Sequence, residues 1–347
     1  MSLPNTSIAE LLAVASKSAP YPILQKALRR ASRRAFMWPE EVSVLLEKER
    51  SLTELAGIGP HLERIIREWF ENPPEVPEPP PLRAGFLTIA EARAELLKHP
   101  SWASALRGDL QMHSEWSDGE GTIAEMADAA HERDYEYIAI TDHAQSLKIA
   151  GGIGARELRN QASEIKKTNA ALAKRGSRLR VLRSIELNLN PQGGGDLPSR
   201  VLDQLDIVLG CFHSALRRKD DQTERYIAAL RNRDVHILGH PQGRIYNFRA
   251  GLDADWPKVF ATAAELDKAL EIDSYPDRQD LRPDLLRLAA EAGCRISIGT
   301  DAHGPTQLPF IELGLASALR AGVRRDRILN FLPLEELLTW VSEIRRS

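Results

Sequence analysis

Five short blocks of this chain set histidines and carboxylates at the ends of apolar runs, where folded proteins hold divalent metals. They read Gly108-Asp109-Leu110-Gln111-Met112-His113 with Asp118 close behind, Thr141-Asp142-His143, Ser184-Ile185-Glu186, Cys211-Phe212-His213-Ser214 with Gly239-His240-Pro241, and Thr300-Asp301-Ala302-His303. Five of the nine histidines fall in these blocks. Imidazole and carboxylate suit Zn, Mn or Fe, and the blocks predict a metalloenzyme with more than one metal. The two cysteines, Cys211 and Cys294, lie in apolar strand-like runs. They read as small buried hydrophobes of a reducing compartment, neither a disulfide framework nor thiolate ligands.

The elements that must position these groups alternate along the chain. Seven strand candidates, Asp109–His113, Tyr137–Thr141, Leu179–Glu186, Asp206–Cys211, Val235–Gly239, Ala269–Ile272 and Arg295–Thr300, are separated by amphipathic stretches such as Ile123–Arg133, Ala155–Arg175, Thr223–Asn232 and Leu281–Ala292. That alternation predicts an α/β fold, a parallel βα barrel. The ligand candidates sit at the C-terminal strand ends, where such barrels build active sites. Upstream, six prolines in Asn72-Pro73-Pro74-Glu75-Val76-Pro77-Glu78-Pro79-Pro80-Pro81 make an extended spacer. It divides the 347 residues into a small helical unit (1–71), a linker (72–82) and the barrel (83–347). Thr88 with Glu91 three residues on is a capping-box signature.

Net charge is -3, so affinity for nucleic acid must come from local patches. No apolar stretch approaches a membrane span, the N-terminus does not read as a signal peptide, and a cytoplasmic location is expected. Before the linker, Leu52–Ile66 contains Ala56-Gly57-Ile58-Gly59-Pro60, in which Gly57 and Gly59 permit a tight turn. Helix N-terminal N–H groups at such a turn can contact phosphate without reading sequence. Lys26, Arg29, Arg30, Arg33 and Arg34 lie in a stretch without acidic residues between Pro20 and Pro39.

From Gly108 to about Trp340 the chain resembles the PHP (polymerase and histidinol phosphatase) superfamily. Its Gly108–Ser114, Ile140–His143, Val208–Ser214 and Glu271–Arg278 blocks are similar to the PHP domain of bacterial family X DNA polymerases. The resemblance implies a distorted seven-stranded (β/α)7 barrel that hydrolyses phosphoesters with two to three divalent transition metals. By it, His113, Glu186 and Asp301 hold the first metal, with Gln111 in place of the usual first histidine. Glu186, His213 and His240 hold the second, and Asp118, His143 and His303 the third. Through these metals His113, Glu186, His213 and Asp301 carry the catalysis. Asp109 and Asp142 are expected to orient histidine ligands. Residues 1–71 resemble the small helical domain of the same polymerases, with one helix-hairpin-helix whose Gly57 and Gly59, together with Arg29, Arg30, Arg33 and Arg34, would grip DNA. Ile65 stands where that family's lyase lysine falls, and no palm lies between hairpin and barrel.

The expected function is therefore a metal-dependent phosphoesterase acting on DNA in repair, as a 3′-5′ exonuclease, in 3′-end processing or at abasic sites. Alternatives are a small-molecule phosphomonoesterase of the histidinol-phosphatase type and a DNA-binding scaffold with a vestigial barrel. Lys148, Arg217, Arg244 and Arg278 are candidates for phosphate positioning or plain surface charge. His236 reads as a core histidine, and His61, His99 and His131 as surface residues. Gly151-Gly152 and Gly193-Gly194-Gly195 could approach a phosphate or simply form loops.

Overall fold

The computed structural model describes residues 3–346. Eight strand segments pair in parallel within two sheets. β1 (Gly108–Met112), β2 (Tyr137–Ile140) and β3 (Arg180–Arg183) form the first. β4 (Glu186–Asn188), β5 (Leu209–Cys211), β6 (Ile237–Leu238), β7 (Ala269–Asp273) and β8 (Arg295–Gly299) form the second. Six of the seven expected strands appear singly, and the third is split into β3 and β4 around Ser184-Ile185. There Glu186 N donates to Asp142 O at 3.1 Å, and His143 bridges Glu186. At the opposite edges Met112 bridges Ala302, and His113 N donates to Ala302 O at 2.8 Å. The sheets thus meet at both edges, and their strand ends converge.

Helices cover the outside of the sheets. The capping box at Thr88 is formed with Glu91, and a second joins Thr122 to Glu125, so both helices start with their first donors satisfied. The C-terminal helix Leu334–Arg346 packs Leu337, Trp340, Val341 and Ile344 against Tyr137, Ile207, Ile237 and Ala269, at the starts of the strands. That end is therefore sealed with apolar side chains, and the opposite end is free for chemistry. Among the described residues no helix is long and apolar enough to cross a membrane.

The N-terminal unit consists of α1 (Asn5–Ser18), α2 (Pro22–Arg34), α3 (Val42–Glu47) and α4 (Pro60–Glu71). It is not separate from the rest. Phe36 meets Tyr246 at 4.7 Å between ring centroids, Phe86 meets Tyr246 at 5.2 Å, and the three rings belong to one core cluster. Ser32 Oγ lies 3.0 Å from Tyr246 Oη. Arg83 pairs with Glu10 through 2.7 and 2.8 Å contacts, both side chains being buried. The proline run spans the surface between these anchors without regular structure.

Candidate metal centre

Strand geometry explains where the site residues fall. Side chains alternate along a strand, and beyond the strand ends the backbone is free to leave that alternation. His213, His240 and Asp301 lie two residues beyond β5, β6 and β8, His113 follows β1 directly, and Glu186 opens β4. His240 (φ 26°) and Asp301 (φ 53°) adopt the left-handed region rare for non-glycine residues. Such backbone costs on the order of 1–3 kcal/mol and persists only where its surroundings hold it. Here His240 N donates to Glu271 at 2.7 Å and Asp301 N to Gln111 O at 3.1 Å.

Glu186 is the hub. Its Oε1 lies 2.8 Å from His213 Nε2 and 2.7 Å from His240 Nε2. Its Oε2 is 3.3 Å from His113 Nε2 and 3.2 Å from His143 Nδ1. Asp301 Oδ1 lies 2.9 Å from His113 Nε2. Asp118 sits 3.4 Å from His303 Nε2, 3.5 Å from His143 Nε2 and 3.9 Å from His113 Nδ1. The His113 ring stacks between those of His143 and His303, each centroid 4.5 Å away. All eight imidazole and carboxylate candidates are thus brought together, in overlapping groups whose ligand atoms lie within 4.8 Å.

The charges respond to this crowding. Burial opposes a charged imidazole at His113 and His240, yet Asp301 and Glu186 raise His113 well above 6.5, and Glu186 raises His240 to about 9. At His143 burial prevails and lowers the ring to about 4. Burial likewise opposes ionisation of Glu186, but the surrounding imidazoles pull it well below the usual carboxylate range. Buried His113 Nδ1, His143 Nδ1, Glu186 Oε2, Asp273 Oδ2 and Asp301 Oδ2 lack hydrogen-bond partners. A buried polar atom left unpaired costs about 1–3 kcal/mol, and more when charged. Divalent cations would satisfy most of these atoms at once, so the donor set fits metals.

Other expectations are corrected. Asp109 does not orient a histidine. Its Oδ2 accepts from Thr300 Oγ1 at 2.5 Å and its Oδ1 from Gln111 N and Thr300 N, tying β1 to the end of β8. Asp142 accepts from Ser114, Ser117 and Gln161, fixing the loop after β1. Imidazoles are held instead by Asn188, whose Oδ1 is 2.6 Å from His213 Nδ1, and by Asp301 O, 2.8 Å from His303 Nδ1. Gln111 sets its side-chain amide against Glu271, 2.6 and 3.0 Å from the two carboxylate oxygens, a contact satisfied with the nitrogen as the donor. Glu271 and Asp273 were missed as site residues, although two buried carboxylates at strand spacing in Ala269-Leu270-Glu271-Ile272-Asp273 are a legible signal. Cys211 is buried as expected, but it belongs to the site's wall beside Glu186 and His240, where burial holds it as a thiol.

Of the four positioning candidates, Arg278 alone touches the ligand set, 3.3 Å from Asp301 Oδ2. Arg244 is buried with its guanidinium 3.8 Å from the Phe86 ring centroid, a structural tie rather than a mouth residue. Lys148 and Arg217 are exposed. Gly193 and Gly195 are packing positions, where a Cβ would clash with Ala228 and Leu187 at 2.4 and 2.5 Å. His236 is buried and accepts from Val208 N at 3.0 Å, while His61, His99 and His131 are exposed. Between Leu55 and α4, Gly57 (φ 88°) makes the turn, and a Cβ there would meet Arg34 Cδ at 2.9 Å. Gly59 is extended with open space, so the turn rests on Gly57. A three-residue 3-10 turn, Leu52–Glu54, precedes it.

A parallel α/β fold with this centre defines a metal-dependent hydrolase. The PHP domain model matches residues 109–298, and the chain belongs to the PHP family. It is 37% identical over 233 residues to the DNA polymerase/3′-5′ exonuclease PolX of Bacillus subtilis (strain 168), covering 67% of this chain and 40% of that protein. It is 29% identical over 220 residues to a probable phosphatase of Thermoanaerobacter sp. (strain X514), covering 60% and 83%. The chain thus spans under half of the PolX length. A solved structure of histidinol phosphate phosphatase from Lactococcus lactis, complexed with zinc, L-histidinol and phosphate, matches with TM-score 0.47 and 16% identity over 63% of this chain and 94% of that one.

Proposed function

We propose that this protein is a phosphoesterase acting on DNA at 3′ ends or abasic sites, in repair. The observation that carries the reading is the placement of α2. Arg33 is close enough to Tyr246 and Asp277 for its charge to act on both, and Asp277 directly precedes Arg278 at the metal centre. Lys26, Arg29, Arg30, Arg33 and Arg34 are exposed, with no carboxylate in ion-pair distance among the described residues. A backbone phosphate held on this face would be aimed toward the mouth. The turn at Gly57, packed against Arg34, sets the start of α4 beside this face.

In the proposed assignment His113, Glu186 and Asp301 hold one metal, Glu186, His213 and His240 a second, and Asp118, His143 and His303 a third, in a distorted seven-stranded barrel. Such metals, when bound, supply Lewis acidity toward phosphoryl oxygens and acidify water. The chain's own contribution is positional. Glu186 gathers four imidazoles, Asn188 fixes the His213 ring, and Arg278 offers a guanidinium to a phosphate oxygen beside Asp301. The competing reading, a small-molecule phosphomonoesterase, draws on the probable phosphatase of which this chain spans 83%.

The test compares the wild type with an Arg29/Arg30/Arg33/Arg34→Gln variant on a labelled oligonucleotide and on p-nitrophenyl phosphate across a salt series. Each phosphate contact contributes about 0.7–0.9 to the slope of log affinity against log salt. The variant should lose oligonucleotide affinity, show a shallower slope and keep the small-ester rate. Equal behaviour on the oligonucleotide at every salt would favour the small-molecule reading.

A further inference from the structure

The loop that follows His240 carries an aromatic ring that the metal chemistry does not use. Phe248 is 53% exposed. It is not on a slack loop: Ile245 and Arg249 bridge each other with 2.8 and 3.0 Å backbone bonds, and Phe248 N donates to Ile245 O at 3.1 Å. Tyr246, two residues before, is buried against Phe36 and Phe86. The turn is therefore held in place, and Phe248 stays at the surface.

The Arg217 guanidinium lies over this ring, 4.7 Å from its centroid, with no carboxylate in ion-pair distance among the described residues. Both residues belong to loops leaving the site, Arg217 after His213 and Phe248 after His240. The loops touch at Gly243, where a Cβ would stand 3.1 Å from Leu216 Cδ2. Arg249 donates to Gly243 O and feels the charges of both Arg278 and Arg217. Arg33, whose charge reaches Asp277 next to Arg278, adds a further guanidinium to the charges near these loops.

A basic track interleaved with an aromatic face suits single-stranded nucleic acid, whose phosphates follow the charges while a base stacks on the ring. A duplex keeps its bases stacked inside and offers no free face. We propose that Phe248 and Arg217 form a base-stacking step that seats a single-stranded DNA end entering the metal centre. This rests on the DNA reading above and adds the residues that would select an unpaired strand.

The test uses the full chain as wild type, Phe248→Ala, Phe248→Trp and Arg217→Gln. Each is assayed on a labelled single-stranded oligonucleotide, its blunt duplex and p-nitrophenyl phosphate. Losing one base–aromatic stack should raise KM for the single strand at least about fivefold in Phe248→Ala. Phe248→Trp should restore it, Arg217→Gln should weaken it, and the small ester should be unchanged. An unchanged single-strand KM in Phe248→Ala overturns this step alone. A parallel loss on p-nitrophenyl phosphate overturns it too, by showing a general structural effect. A wild type that cleaves the small ester but neither cleaves nor binds the oligonucleotide overturns the DNA reading and this step together.

Discussion

Glu186 carries more of the site than any other residue, because four imidazole nitrogens converge within 3.3 Å of its two oxygens. Replacing it with glutamine keeps the shape and removes the charge that balances cations there. Glu186→Gln should lower metal content and activity by well over the roughly 10- to 100-fold typical of an outer-shell partner. Elemental analysis finding full metal in the folded variant would remove Glu186 from the ligand set. The five histidines and Asp118, Glu186 and Asp301 were readable from residue type and their place at the ends of apolar runs, while Glu271 and Asp273 were passed over. Gln111 was not readable: an amide can serve a metal or a neighbouring carboxylate equally well, and only the fold sets it against Glu271.

Strands act on the site by where they end. They also bury His236, a titratable group in the core outside the metal centre. Its imidazole is lowered from 6.5 to about 3, first by burial and then by the Arg345 and Lys268 charges. The neutral ring is thus preferred in the fold, while the unfolded chain takes up a proton near pH 6.5. The stability it contributes is present above pH 6.5 and is lost as pH falls from there toward 3. The slope should approach about 1.4 kcal/mol per pH unit. In His236→Asn, whose amide oxygen can still accept from Val208 N, urea midpoints should decline less steeply below pH 6.5. Identical slopes would show that His236 does not stay neutral in the fold. Strand existence was legible from alternation, but the interruption at Ser184-Ile185 was not, since apolar pattern alone does not register a change of sheet.

At the scale of the molecule, the N-terminal helices and the α/β portion are joined by a shared aromatic cluster and the buried Arg83–Glu10 pair. Removing one partner of a buried pair leaves an uncompensated charge, at a cost of about 3–5 kcal/mol. Arg83→Ala should therefore lower unfolding stability by about that amount, and Arg83→Met with Glu10→Leu should recover much of it. A loss under about 0.5 kcal/mol in the single variant would show that the pair does not hold the units together. The same docking brings Arg33 of α2 near Asp277, the residue before Arg278.

Residue type and period alone determined that this chain is a parallel α/β protein with candidate metal ligands at its strand ends, and where its proline run lies. These are local properties: a strand alternates every two residues, and a proline cannot donate, whatever surrounds them. The tertiary structure alone decided that Asp109 and Asp142 hold backbone and loops, that Glu271, Asn188 and Cys211 belong to the site, and that Arg244 is internal. It also decided that Tyr246 reaches across the molecule to Ser32. Those facts depend on which strand becomes whose neighbour and how two distant segments pack. No spacing within one segment encodes a partner more than 200 residues away.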